Sequence, residues 1–118
     1  RTIYRFSPRG ARRNLLDTFD CPDASALAPN RASTTTPLQS LALMNNRFVL
    51  RQSDYFAERL EDEAGDDIID QLRLAHELTL ARPITAREEA LAQSFVKAHG
   101  MAAYCRVLFN TNAFLYVR

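Results

Sequence analysis

Residues Thr85–Gly100 read TAREEALAQSFVKAHG, and they carry the clearest helix start and stop signals in this 118-residue chain. Thr85 and Glu88 have the spacing of a capping box, in which each side chain bonds to the backbone of the other residue. Gly100 is a typical helix stop. Apolar residues recur between these signals at helical spacing. The predicted buried stripe is Leu91, Ala92, Phe95 and Val96.

Pro83 separates this helix from a preceding one, because proline lacks the backbone donor that a helix interior needs. Asp66 or Asp67 is placed to cap the preceding helix, which we predict to reach about Arg82. The two helices are expected to form a helical hairpin. The predicted buried stripe of the preceding helix is Ile68, Leu72, Ala75, Leu78 and Ala81.

Two more helices are predicted before Gly65. Residues 36–39 carry a start signal of threonine, proline and glutamine, and the helix that follows is apolar almost all round. We therefore expect this helix to be central and buried. Two asparagines at residues 45–46 interrupt it, and a longer amphipathic helix is predicted from about Arg47 to Ala64. The inner stripe of that longer helix is Val49, Gln52, Phe56 and Leu60.

The C-terminal end predicts one more helix, from about Met101 to Phe109, and then a short final turn that Asn112 could cap. The side chains expected to be buried in this helix are Tyr104, Val107 and Leu108. The fold class is therefore all-α: a compact bundle of about five helices over residues 36–117, after an irregular arm and loop over residues 1–35. We expect residues 1–118 to form a single domain, and expect the chain, which begins at Arg1, to be the C-terminal fragment of a larger multidomain protein.

Charge is unevenly distributed along the chain. Residues 1–51 carry eight arginines against three aspartates, a net charge of +5, whereas residues 52–70 carry eight acidic residues against Arg59, a net charge of −7. The basic arm has few aromatic residues and the chain has little lysine, so we do not expect nucleic-acid binding. No segment reaches the roughly 18 apolar residues of a membrane span, and this fragment shows no signal peptide.

Cys21 and Cys105 lie 84 positions apart and form no close pair of the kind that metal knuckles and redox motifs use. Two buried thiols and one long-range disulfide both remain open. His76 and His99 each share a helix face with apolar residues, without a second histidine or a carboxylate at ligand spacing. We therefore expect no metal site and no cofactor.

Catalytic chemistry is not indicated by any group of residues. Residues 30–39 are rich in hydroxyl groups, but they contain no G-x-S-x-G elbow and no base placed beside a serine. Asp17, Asp20 and Asp23 lack the spacing of a calcium loop, and capping of turns explains them. Whether the parent protein is an enzyme stays open, and we predict no catalytic residue here.

Several amides are harder to explain as surface residues. Gln39, Asn45, Asn46 and Gln52 lie on or beside apolar helix surfaces, where an unpaired amide costs roughly 1–3 kcal/mol. Asn110 and Asn112 raise the same question at the other end of the chain. All of these amides except Gln52, together with three loop residues, are our candidate binding residues. The full candidate set is Asp20, Asp23, Arg31, Gln39, Asn45, Asn46, Asn110 and Asn112.

These stretches resemble the C-terminal part of DUF1553, a domain of unknown function typical of planctomycetes and related bacteria. The resemblance rests on Phe19–Asp23, on Arg31 with Thr34–Asn46, on Leu80–Thr85, and on Cys105–Val117. It covers nearly all of the chain. Ala113 departs from the pattern, in which an acidic residue is expected.

The resemblance implies the C-terminal part of a large exported protein, often behind a cytochrome-c-like domain, in a setting linked to polysaccharide breakdown. Export would favour a disulfide between Cys21 and Cys105. We expect a non-catalytic helical module that packs against other domains of its parent chain. The alternative is that Asp20, Asp23, Arg31, Gln39 and Asn46 line part of an active site that upstream domains complete in polysaccharide breakdown. A further alternative is glycan binding by the Asn-rich turns with Tyr55, Tyr104 or Tyr116.

Overall fold

The computed structural model describes Thr18, Phe19 and residues 36–116. These residues contain helices and no strand, so the all-α prediction is confirmed. The predicted arm and loop over residues 1–35 lie almost entirely outside the described residues. The helices are α1 (Pro37–Asn45), α2 (Arg47–Ala64), α3 (Ile68–Leu80), α4 (Ala86–His99), α5 (Met101–Phe109) and α6 (Asn112–Leu115).

The chain divides into two compact units, Arg1–Ala42 and Leu43–Arg118. The second unit contains helices α2 to α6, and each of the four longer ones packs against at least two others. That all 118 residues act as one domain stays a prediction.

Side-chain caps set most helix starts. The Thr85–Glu88 capping box is present, with Glu88 Oε2 accepting from the backbone N–H of Thr85 at 3.0 Å. Asp67, one of the two predicted candidates, caps α3 by accepting from the N–H of Ile69 at 2.8 Å. At the start of α1, the N–H of Thr36 donates to Gln39 Oε1 at 3.2 Å, which confirms the predicted start signal.

Helix ends follow the backbone freedom of particular residues. Gly65 and Gly100 have φ values of 75° and 85°, a region that favours glycine, and they end α2 and α4 as predicted. The predicted end of α3 at about Arg82 is wrong by two residues. Ala81 already adopts the left-handed conformation at φ 51°, so α3 ends at Leu80.

The core of the second unit is built where α2, α3, α4 and α5 meet. Leu60, Leu72, Ala75 and Cys105 have no exposed surface, and Phe56 and Phe95 pack against this core while partly exposed. The remaining buried members of this cluster are Ala92, Val96, Tyr104 and Leu108. Burying such a cluster is the main favourable contribution to folding.

Several predicted core positions are exposed instead. The exposed members of the predicted stripes are Gln52, Leu78, Ala81, Leu91 and Val107. Leu91 is 64% exposed, because it lies about 100° around α4 from Ala92, which faces the core. Leu78 lies two residues, roughly 200°, beyond His76 on α3 and points away from the same core. Helical spacing therefore identified the helices but set the inner faces too wide.

The prediction that α1 is buried is wrong for most of its residues. Only Gln39 and Leu43 of this helix are buried, whereas Leu38, Leu41 and Met44 are exposed. A helix that is apolar on every side is buried only where neighbours cover every side. In α1 a single side is covered.

Candidate functional site

The second unit contains a buried hydrogen bond between two titratable side chains on different helices. His76 Nε2 on α3 lies 2.8 Å from the hydroxyl oxygen of Tyr104 on α5. His76 is 3% exposed and Tyr104 is 8% exposed, so the pair is withdrawn from solvent. The other ring nitrogen, His76 Nδ1, is also buried and has no hydrogen-bond partner among the described residues.

Burial keeps both members of the pair neutral. It lowers the pKa of His76, since a charged imidazolium is disfavoured away from water, and the nearby carboxylate of Glu88 only partly opposes this. Burial likewise raises the pKa of Tyr104 to about 12, and the charge of Glu88 adds to the shift. The contact is therefore a neutral hydrogen bond at physiological pH.

Cys105 is a third titratable residue in the core that is neutral at physiological pH. Its side chain is fully buried, and burial raises the pKa of the thiol to about 12. A thiol in that state is a poor nucleophile, because the thiolate is the reactive form. Cys21 lies outside the described residues, so the disulfide between the two cysteines stays a prediction.

A charged pair lies at the turn between α3 and α4. Arg82 donates to both carboxylate oxygens of Glu88, from Nη1 at 2.9 Å and from Nη2 at 2.6 Å. The Thr85 hydroxyl also donates to Glu88 Oε2 at 2.8 Å. The hydrogen bonds from Arg82 hold the pKa of Glu88 well below its usual range, and those from Thr85 add to this effect.

This arrangement positions helices rather than presenting a reactive atom. The His76–Tyr104 bond joins α3 to α5 inside the core, and the Arg82–Glu88 pair fixes the turn between α3 and α4. Both carboxylate oxygens of Glu88 are occupied by donors from its own turn. The titratable side chains of these two contacts therefore hold α3, α4 and α5 together.

The predicted binding residues in the described region lie at helix ends. Gln39 belongs to the α1 start signal, and Asn46 caps α2 by accepting from the N–H of Phe48 at 2.9 Å. Asn45 is the last residue of α1, and Asn110 follows α5. The prediction that Asn112 caps the final turn is wrong, because Thr111 supplies that cap and Asn112 is the first helical residue.

Two pairs of these candidates are neighbours in the sequence and lie at helix junctions. Asn45 and Asn46 are adjacent at the junction of α1 and α2, and Asn110 and Asn112 flank the junction of α5 and α6. Gln39 belongs to the first unit. The remaining candidates, Asp20, Asp23 and Arg31, lie outside the described residues, so the site that upstream domains would complete stays a hypothesis.

Sequence reasoning missed the partner of His76. On its own helix face His76 has no carboxylate or second histidine at ligand spacing, whereas its partner is a tyrosine 28 positions away on another helix. A usable signal was present, because His76 and Tyr104 are both polar residues on apolar helix faces and each needs a buried partner. The ion pair from Arg82 to Glu88 was missed too, although the capping box that contains Glu88 was predicted.

Two negative findings apply to the described residues. Within residues 36–116 and the pair 18–19, no three or more histidine, cysteine or acidic side chains are grouped so that they could hold a metal ion. Over the same part of the chain, no helix has the length and apolar character needed to cross a membrane.

The fold and this buried pair define an all-α helical protein whose polar core contacts join neighbouring helices. The chain belongs to the DUF1553 family, described as proteins of unknown function, which matches residues 1–96. The predicted family resemblance is thereby confirmed. The match contains the motifs Phe19–Asp23, Thr34–Asn46 and Leu80–Thr85 and ends before Cys105–Val117. Searches of curated proteins and of solved structures found no match.

The turn motif Leu80–Thr85 has a structural role. Leu80 ends α3, Ala81 reverses the chain, and Arg82 reaches Glu88 across the turn. Thr85 then starts α4. The residues of this motif therefore specify the geometry of the α3–α4 hairpin.

Proposed function

We propose that this chain is a non-catalytic helical module that packs against another domain of the same parent protein. The observation that carries the proposal is a stripe of exposed residues along the first two turns of α2. We call it the α2 stripe, and it consists of Phe48, Arg51, Gln52 and Tyr55. These residues are spaced at i, i+3, i+4 and i+7, so they lie on one face of the helix.

The α2 stripe has the composition of a binding surface. Phe48 is 62% exposed and Tyr55 is 56% exposed, although both are large aromatic residues. Aromatic residues and arginine are enriched at protein interfaces and among the residues that dominate binding energy. A different face of α2 is already used, since Val49, Ser53 and Leu60 are buried in the protein.

The second half of α2 differs from the stripe. Beyond Tyr55, the exposed positions are mainly charged, and Arg59 pairs with Glu63 at 2.7 Å on the helix surface. Charges of this kind are typical of a solvated face. The contrast supports docking at the N-terminal half of α2, with the charged C-terminal half left in water.

The occupant that we propose is another domain of the parent chain. Support comes from the resemblance, which implies that such domains follow others in large exported planctomycete-type proteins. Export and that origin are part of the proposal. Fractionation of cells that express the parent gene tests the location: we expect the protein outside the cytoplasm, and recovery only in the cytoplasm contradicts this part.

A binding measurement tests the docking. The chain and the remaining part of its parent are prepared separately and titrated by calorimetry. We expect association, and expect the double variant Phe48→Ala with Tyr55→Ala to weaken it by about tenfold or more, since truncating one interface anchor often costs over 1 kcal/mol. Leu91→Ala is the matched control, because Leu91 is equally exposed but lies on α4.

Two results would contradict the proposal. One is the absence of association when both preparations are folded, as judged by circular dichroism. The other is equal weakening by the α2 double variant and the Leu91→Ala control. Self-association in analytical ultracentrifugation that the double variant abolishes, with no binding to the parent, would assign the α2 stripe to a dimer and also overturn the proposal.

A further inference from the structure

One ring nitrogen of His76 has no hydrogen-bond partner in the described part of the chain, although the other contacts Tyr104. A neutral imidazole carries one proton, so its nitrogens supply one donor and one acceptor. With that proton on Nε2, the ring donates to Tyr104 and leaves Nδ1 as an acceptor without a partner. An unpaired buried acceptor is tolerated more often than an unpaired buried donor.

A second proton changes this arrangement. Imidazolium has two N–H donors and a positive charge. Nδ1–H would then be a buried donor with no acceptor among the described residues. Both the unpaired donor and the unpaired charge are costly inside a core, where His76 lies beside the fully buried Leu72 and Ala75.

No nearby group is free to neutralise that charge. From α5 the ring faces the hydroxyl of Tyr104, which is neutral. From α4 the charge of Glu88 attracts a proton to His76, while Arg82 in the turn repels it. Glu88 is already bonded to Arg82 and Thr85. Among the described residues, no charged group of α2 or α6 shifts the pKa of His76.

We propose that His76 is an acid-sensitive device in the second unit: mildly acidic solution favours states in which its ring leaves the core and is protonated, so the contact between α3 and α5 is weakened. The proton comes from solvent and is bound at Nδ1, and no other reactant is needed. The docking proposed for α2 is independent of this device.

The direction of the pH dependence follows from proton linkage. Burial lowers the pKa of His76 in the folded protein, below the ordinary value of 6.5 that applies to the unfolded chain. The unfolded state therefore binds the proton first as the pH falls. The stabilising contribution is complete above pH 6.5 and is lost progressively below it. One such site raises the equilibrium constant for unfolding by up to about tenfold between pH 7.5 and pH 5.5.

Urea unfolding of the 118-residue chain tests the proposal. The unfolding constant is measured at pH 7.5 and at pH 5.5 for the original sequence, for His76→Gln and for His99→Gln. We expect it to rise at pH 5.5 in the original sequence and in His99→Gln, because His99 is exposed. In His76→Gln, whose amide can still bond to Tyr104 but does not titrate, we expect little change.

The outcomes separate clearly. An equal pH effect in His76→Gln, or no pH effect in the original sequence, overturns the proposal. If His76→Gln fails to fold, the ring protons of His76 are followed by NMR in the original sequence. They should keep the chemical shift of a neutral imidazole below pH 6.5 while the protein is folded. A normal titration midpoint at or above pH 6.5 in the folded protein overturns the proposal.

Discussion

The guanidinium of Arg82 forms a two-point ion pair with the carboxylate of Glu88 across the turn between α3 and α4, with donor–acceptor distances of 2.9 and 2.6 Å. Such planar, two-point pairs are stronger and more specific than single contacts. Because the same carboxylate completes the capping box of α4, one side chain links the end of α3 to the start of α4.

Replacing Glu88 by alanine should therefore destabilise the hairpin. The variant loses the ion pair and half of the capping box, and we expect the free energy of unfolding to fall by about 0.5–2 kcal/mol. Partial exposure of both side chains keeps the ion-pair contribution small. Urea unfolding at pH 7 measures the change, with the exposed Glu58→Ala of α2 as control. Equal effects of the two substitutions would show that the turn contacts contribute nothing.

The same residue predicts a second acid transition. The hydrogen bonds from Arg82 lower the pKa of Glu88 below its ordinary value of 4.5, so its contribution is present above that pH and is lost as the pH falls further. Glu88→Gln should flatten the stability profile below pH 4.5, while above pH 5.5 it lowers stability by a nearly constant amount because the ion pair is lost. If the slope of the profile changes only above pH 5.5, the loss of stability below pH 4.5 is not due to Glu88.

The ends of α2 and α3 offer a test of backbone strain. Ala81 has a left-handed φ of 51°, which suits glycine better, so Ala81→Gly should raise the free energy of unfolding by about 0.5–1 kcal/mol. Gly65→Ala should lower it by about 1–3 kcal/mol, through backbone strain alone, because an added Cβ would meet no atom within 4 Å. Thermal unfolding measures both, and changes of the same sign would refute the assignment.

Removing the hydroxyl of Tyr104 should show how much its hydrogen bond contributes to the free energy of unfolding. Tyr104→Phe leaves His76 Nε2 without its partner in the core, and we expect a loss of about 1–3 kcal/mol. Tyr55→Phe removes the same atom from an exposed residue and should change stability by no more than about 0.5 kcal/mol. Urea unfolding compares the two, and equal losses would mean that the buried bond has no special role.

The thiol of Cys105 should be protected from reagents while the protein is folded. Burial and a pKa of about 12 leave almost no accessible thiolate at pH 8. In a Cys21→Ser background, we expect slow reaction with a thiol reagent in buffer and fast reaction in urea. Comparable rates in both would contradict the buried position. With the original Cys21 present, unreactive cysteines even in urea would instead support the predicted disulfide.

Local signals in the sequence predicted the helices well. Each of these signals involves residues no more than four positions apart. The signals are the capping box at Thr85, the glycine stops at Gly65 and Gly100, and the break before Arg47. Backbone conformation and capping are decided over that range. The same reasoning predicted that α3 ends two residues later than it does, because nothing in the pattern showed that Ala81 would adopt a left-handed conformation.

The partners and the exposure of the candidate amides were not predicted by local patterns. Gln39 and Asn46 look like unpaired polar groups when only apolar neighbours are counted, but both bond to backbone near a helix start. Gln52 was expected on an inner face and is exposed. Whether an amide has a partner depends on which face its helix presents, and periodicity defined that face too broadly.

The sequence by itself determined that the chain is all-α, where most of its helices begin and end, and to which family it belongs, since these depend on local bonding and on motif residues. Only the tertiary structure decided that His76 meets Tyr104 across 28 positions, that Leu91 and Phe48 are exposed, and that α1 exposes most of its apolar residues. Contacts between helices depend on how their faces are rotated against one another, and no local pattern in the chain specifies that rotation.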